Sequence, residues 1–176
     1  MASAMQSLDH IRHSIGAVIR QLAEHPEKGR SPDRPATAVI EEGLRCRIEG
    51  PEGWTVVTDM PQPLGGGGAA PTPGWLSRAA QASCLATVIA MRAAQEGVAL
   101  ARLEVTVESE SDARGLLDVD PSIPPGPFAS RTRVRIAADG VAPERLRELV
   151  WWGDAHSPVS DLVGRAIPRA IDVEIG

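Results

Sequence analysis

From Trp75 to about Gln95 the chain carries a helical stretch with almost no polar face, because Cys84, Leu85, Ala86, Thr87, Val88, Ile89, Ala90 and Met91 follow one another without a charge. A helix that is apolar all round is buried all round. The stretch therefore predicts the central helix of the fold, and its alanines allow a second helix or a sheet to come close. Thr72 and Pro73 mark its start, a capping hydroxyl ahead of a residue already set at helical φ.

The flanking segments change to a period of two. Between Ala36 and Met60, Leu44, Cys46 and Ile48 alternate with Arg45 and Arg47, and the turn residues Gly50 to Gly53 lead into Trp54, Val56 and Val57, which predicts a hairpin. Downstream, Leu103, Val105 and Val107 alternate with Arg102, Glu104, Thr106 and Glu108, and Thr132, Val134 and Ile136 with Arg131, Arg133 and Arg135. These strands each have one buried and one wet face, and their acidic and basic outer faces can pair across the sheet. The loop from Pro61 to Gly74 holds four consecutive glycines, Gly65 to Gly68, without the Gly-Lys-Ser/Thr ending that a phosphate loop requires. Asp118 to Pro127 reads as a second loop.

Helical spacing returns from Ala142 to Trp152, and Ser157 with Pro158 starts a short helix through Val163. Ile171, Val173 and Ile175 predict a closing strand. At the other end, Leu8, Ile11, Ile15, Val18, Ile19 and Leu22 predict an amphipathic helix with Ser7 as its cap, followed by a proline-bearing linker from His25 to Pro35. Residues 1–35 are thus an N-terminal helix and linker, and residues 36–176 the main domain. The order predicts an α+β fold with a largely antiparallel sheet. A sheet with one charged face and a helix with none need further cover, which a second copy of the chain would supply.

Composition narrows the function. The chain has 176 residues, a net charge of -5 and a single lysine, Lys28. That balance lacks the basic face a nucleic-acid binder needs. No run approaches the roughly 20 apolar residues of a membrane span, and no basic segment followed by an apolar run opens the chain. Two cysteines form neither a dense disulfide framework nor a four-thiolate zinc site, so we expect a protein of the reducing cytoplasm.

Cys84 is the residue most able to carry chemistry. It is either a small core hydrophobe or a nucleophile, and the second role needs a cation nearby, since only the thiolate attacks. Arg45, Arg47, Arg78 and Arg92 are the candidates. Arg78 and Arg92 sit on the same helix at spacings that put them on other faces, which favours a hairpin arginine. Cys46 falls on the apolar side of its strand, either packed or acting as a redox partner. His10, His13, His25 and His156 lack the acidic or thiol neighbours that would fix a metal, so neither a metal nor a cofactor is assigned. Ser157, beside His156, is best explained as a helix cap.

The run Asp59-Met60-Pro61, Leu64-Gly65-Gly66, Ala70-Pro71-Thr72-Pro73, Leu76, Ala79-Ala80 and Ser83-Cys84 resembles the segment leading into the central helix of the osmotically inducible protein C (OsmC) and organic hydroperoxide resistance family. Leu103 to Val107, Ser111-Asp112-Ala113-Arg114-Gly115 and His156-Ser157-Pro158-Val159-Ser160 resemble later segments of the same family, so that the likeness covers roughly Ala36 to Ile175. It implies an intertwined homodimer with a bent sheet around central helices. It also implies a thiol-dependent peroxidase in which Cys84 reduces an organic hydroperoxide, a second cysteine forms a disulfide with it, and a dithiol or lipoylated protein restores it. An arginine of the first strands, Arg45 or Arg47, matches the residue that stabilises the thiolate.

Two positions depart from the family pattern. After Thr72 and Pro73, Gly74 stands where the peroxidases carry a glutamate, and Ser157 stands where they carry the resolving cysteine. Either Cys46 resolves instead, or an external thiol does, or the activity is lost and the dimer binds a small apolar or acyl ligand at its interface.

Overall fold

The computed structural model describes residues 2–176. Helix α1 spans Ala2–Glu24, so the helix begins ahead of Ser7, whose expected capping side chain lies outside the described residues. Leu8, Ile11 and Ile15 are half-buried, whereas Val18 and Ile19 are about half exposed. The chain divides into two compact units, one of residues 13–80 and 107–131, the other of residues 1–12, 81–106 and 132–176.

The first unit is built on three antiparallel strands, β1 (Thr37–Glu42), β2 (Arg45–Glu49) and β3 (Thr55–Thr58), in that spatial order. The predicted hairpin is β2–β3, with Cys46 opposite Thr58 and Ile48 opposite Val56. A strand that the hairpin reading did not separate, β1, lies on the other side of β2. Its adjacent apolar pair Val39–Ile40 breaks the alternation by which a half-buried strand is recognised. Gly43, at φ 58, makes the turn between β1 and β2 in a conformation that favours glycine.

After β3 the chain buries Asp59, 2% exposed, and wraps the glycine loop around its carboxylate. The backbone N–H groups of Met60, Gly67 and Ala69 donate to it at 2.7, 3.3 and 3.1 Å. A Cβ on Gly66 would lie 1.9 Å from the Met60 carbonyl oxygen, so only glycine lets the loop close on itself. The glycine run therefore serves an internal carboxylate. The N–H of Ala69, reinforced by those of Met60 and Gly67 and by the charge of Arg45, holds the Asp59 carboxyl below its usual range against the opposing effect of burial. A group whose acidity is raised by folding stabilises the native state above its unfolded pKa, and this is lost as pH falls through the lowered native value. We expect Asp59→Asn to lower the melting temperature most near neutrality. Thermal unfolding across a pH series should show the gap to the unaltered protein closing below the ordinary aspartate range.

Helix α2 (Pro73–Gln95) begins in this unit, where Thr72 Oγ1 accepts the N–H of Trp75 at 3.2 Å and Arg78 donates to Ser109 Oγ at 3.1 Å. Strand β4 (Arg102–Glu110) ends here, followed by the single turn α3 (Ala113–Leu116). Asp112 caps α3 by accepting the N–H of Arg114 at 2.9 Å, and the same arginine's guanidinium forks onto its carboxylate.

The second unit holds the rest of α2, the sheet of β4 and β5 (Ala129–Ala137), and helices α4 (Pro143–His156) and α5 (Pro158–Gly164). Glu104 and Arg135 pair across the two strands at 2.6 Å, as the charge alternation predicts. Leu85, Ile89, Ala93 and Ala94 of α2 and Leu149 of α4 are the buried apolar side chains among the described residues. Gly153 allows α4 to touch α2, since a Cβ there would stand 2.5 Å from Cγ1 of the fully buried Ile89.

Two expectations change at this level. The single chain buries one side of α2 and leaves Thr87 and Met91 exposed on another, so burial all round is not achieved by one copy. The strand predicted at Ile171–Ile175 does not form: the segment has no regular structure, and Ile171, Val173 and Ile175 are 78%, 77% and 93% exposed. Alternation supplies two faces, but a strand also needs an edge to pair with, and none in this chain takes it. No helix among the described residues is long and apolar enough to cross a membrane.

Candidate active site

The second unit brings together two residues 73 positions apart in sequence: the hydroxyl of Ser157 donates to Sγ of Cys84 at 3.2 Å. Cys84 occupies the middle of α2 and is a free, half-buried thiol. Ser157 is 1% exposed at the corner between α4 and α5, where Pro158 takes the first helical position. Its Oγ also accepts the N–H of Ser160 at 3.3 Å. One hydroxyl thus caps a helix and contacts a sulfur, and both bonds fix its position. The sequence correctly marked Ser157 as a cap, while its contact with Cys84 was visible only through the family resemblance.

The other expected site residues have their own settings. Arg47 of β2 pairs with Glu41 at 2.6 Å and with Glu49, and Arg45 pairs with Glu41 at 3.5 Å. The Arg47 hydrogen bond, aided by Arg45, holds the Glu41 carboxyl below its usual range. These pairs are substantially exposed, and exchange of partners costs them little. Cys46 is a free, half-buried thiol whose Sγ lies 4.0 Å from the Arg47 carbonyl oxygen. Gly74 leaves an open position: a Cβ there would be 4.0 Å from Nη1 of Arg78. On α2, Arg92 lies 4.7 Å over the Trp152 ring, with its Nε 2.6 Å from Glu96 in an ion pair that lacks hydrogen-bond alignment. His156 stacks on Trp152 with ring centroids 3.9 Å apart, and its Nδ1 faces the Trp152 carbonyl at 2.7 Å. His10 and His13 are exposed on α1.

Sequence reasoning missed two features. Gly153 sets the approach of α4 to α2, and its signal was a glycine inside a helical pattern. An apolar groove of about 500 Å³ lies between β5 and α4, lined by Val134, Ile136, Leu146, Val150 and Trp151, with Leu85 contributed by α2 and Arg147 and Asp154 at its polar positions. Leu85 adjoins Cys84 in the chain.

A family model described as OsmC-like protein matches residues 65–172. The fold is similar to that of an organic hydroperoxide resistance protein OsmC from Legionella pneumophila, at 22% identity and a TM-score of 0.56, over 76% of this chain and 90% of that one. It is also similar to an OsmC-like protein from Mycoplasma pneumoniae, at 12% identity and a TM-score of 0.65, over 77% and 89% of the two chains. The organic hydroperoxide resistance protein of Bacillus subtilis matches at 18% identity and a TM-score of 0.50, over 75% and 90%. No curated protein matches the chain. At these identities the structural likeness is one of fold.

Proposed function

This chain belongs to the OsmC-like protein family, and on that footing we propose that it reduces organic hydroperoxides through Cys84 as a cytoplasmic, thiol-dependent defence against peroxide. The observation that carries the reading is the contact between Cys84 Sγ and Ser157 Oγ. A half-buried thiol on the central helix faces the residue that occupies the family's resolving position, which is the arrangement expected of a peroxidatic site with one partner exchanged. The names of the Legionella and Bacillus proteins support the choice of organic hydroperoxides as substrate.

In the reaction, the Cys84 thiolate attacks one peroxide oxygen. The O–O bond breaks, the alcohol leaves after taking up a proton, and a sulfenic acid remains on the sulfur. We assign the thiolate-stabilising guanidinium to Arg45 or Arg47. Residues 36–176 form the catalytic domain, with residues 1–35 as an N-terminal addition. To test the reading, the reduced protein is mixed with cumene hydroperoxide and the products are mapped by peptide mass. One added oxygen on Cys84 is the expected result, and an unoxidised Cys84 under conditions that oxidise a free thiol would contradict it.

The functional unit in this proposal is a homodimer. Among the described residues only five apolar side chains are buried, a small core, while Trp151 is 71% exposed and the tail presents Ile171, Val173 and Ile175 to solvent. Sedimentation should give the mass of two chains. Met91→Asp, on the uncovered side of α2, should weaken association by about 3 kcal/mol, on the order of a hundredfold in the dissociation constant, by placing an unpaired charge in the interface.

The groove between β5 and α4 favours a second reading, in which the protein is a binding module for a small apolar or acyl ligand and Cys84 only packs. That reading requires Cys84 variants to retain full cellular function.

A further inference from the structure

We propose that the sulfenic acid formed on Cys84 is resolved by an external monothiol of low molecular weight, so that the protein turns over as a one-cysteine centre. The inference rests on the peroxidase reading above and adds the chemical class of its reductant. Ser157 Oγ is held by its cap to Ser160 and is directed at the sulfur. The atom presented to Cys84 from the α4–α5 corner is therefore an oxygen, which cannot form a disulfide. The chain's other thiol, Cys46, is tied into the middle strand of a three-stranded ladder, opposite Ile40 on one side and Thr58 on the other. Backbone pairing on both sides limits how far that residue can move. On α2, Ala80 and Thr87, one turn to either side of the half-buried Cys84, are small and exposed, which leaves the helix open beside the sulfur. A compact thiol is suited to such an approach.

The cycle balances with two equivalents of monothiol. The sulfur of the first attacks the Cys84 sulfur, the S–O bond breaks, and the departing hydroxide leaves as water with the thiol's proton, giving a mixed disulfide. The second attacks the sulfur of the bound thiol, the S–S bond breaks, the small disulfide departs, and Cys84 regains its thiol. One hydroperoxide and two thiols thus become an alcohol, a water and a small disulfide.

Glutathione serves as the probe. The unaltered protein, oxidised by cumene hydroperoxide without added thiol, should keep the added oxygen. On adding glutathione it should show a mixed disulfide that peptide mapping locates at Cys84, and a further excess should release it. Turnover should rise in proportion to glutathione concentration. In Ser157→Cys the new thiol faces Cys84, and the oxidised variant should lose water to form an internal disulfide before any glutathione is added. Loss of water in the unaltered protein, with Cys46 and Cys84 recovered in one linked peptide, would overturn the proposal while leaving the peroxidase reading standing. Failure of Cys84 to gain oxygen at all would overturn the peroxidase reading, and this proposal with it.

Discussion

Cys84→Ala is expected to abolish hydroperoxide consumption while leaving the fold in place. Removing the nucleophile takes away the atom that accepts the peroxide oxygen, and no neighbouring group replaces it, because the adjacent Ser157 offers a hydroxyl already committed to a cap. The rate measured with excess glutathione should fall by on the order of a thousandfold or more. The stability cost should be modest, about 1 kcal/mol, since the sulfur is only half-buried and Ser157 keeps its bond from Ser160. Activity and melting temperature, measured on one preparation, separate loss of chemistry from loss of structure. Full cellular peroxide tolerance in the variant would favour the ligand-binding reading of the apolar groove.

Gly153→Ala should act in the opposite manner, damaging structure first and chemistry through it. The new methyl would enter a space where Cγ1 of Ile89 lies 2.5 Å away and Ile89 has no exposed surface into which to retreat. Overpacking of this kind costs about 1–3 kcal/mol, and at this chain length each kcal/mol lowers the melting temperature by about 2–4 °C. The helices must separate at a point four residues before Ser157 and five after Cys84. The hydroxyl then loses its distance to the sulfur. Calorimetry should show the lower transition, and the rate of Cys84 oxidation at temperatures well below it should also change. A variant with an unshifted melting temperature would show that the α2–α4 contact is looser than described.

Much of this fold was legible because local chemistry and tertiary packing agree. The cap at Thr72, the proline after it and the apolar run to Met91 gave α2 nearly to the residue, and the charge alternation placed Glu104 and Arg135 on one face, where they pair. The failures occur where an element depends on something beyond its own segment. Ile171, Val173 and Ile175 alternate as a strand should, yet no edge receives them. The glycine loop was read by what it lacks, a lysine for phosphate, when its organiser was Asp59 six residues upstream of the first glycine. At the site, periodicity marked Cys84 as buried in a helix and Ser157 as a cap, but a contact across 73 residues has no local signature. Only the resemblance of the surrounding motifs connected the two positions.

The most direct test of the account is a single-turnover titration of the fully reduced protein with cumene hydroperoxide and no thiol present. It predicts rapid consumption of one hydroperoxide per chain, after which the reaction stops with Cys84 oxidised and Cys46 still titrating as a free thiol. Hydroperoxide that persists beside a reduced Cys84, or consumption undiminished in Cys84→Ala, would contradict it.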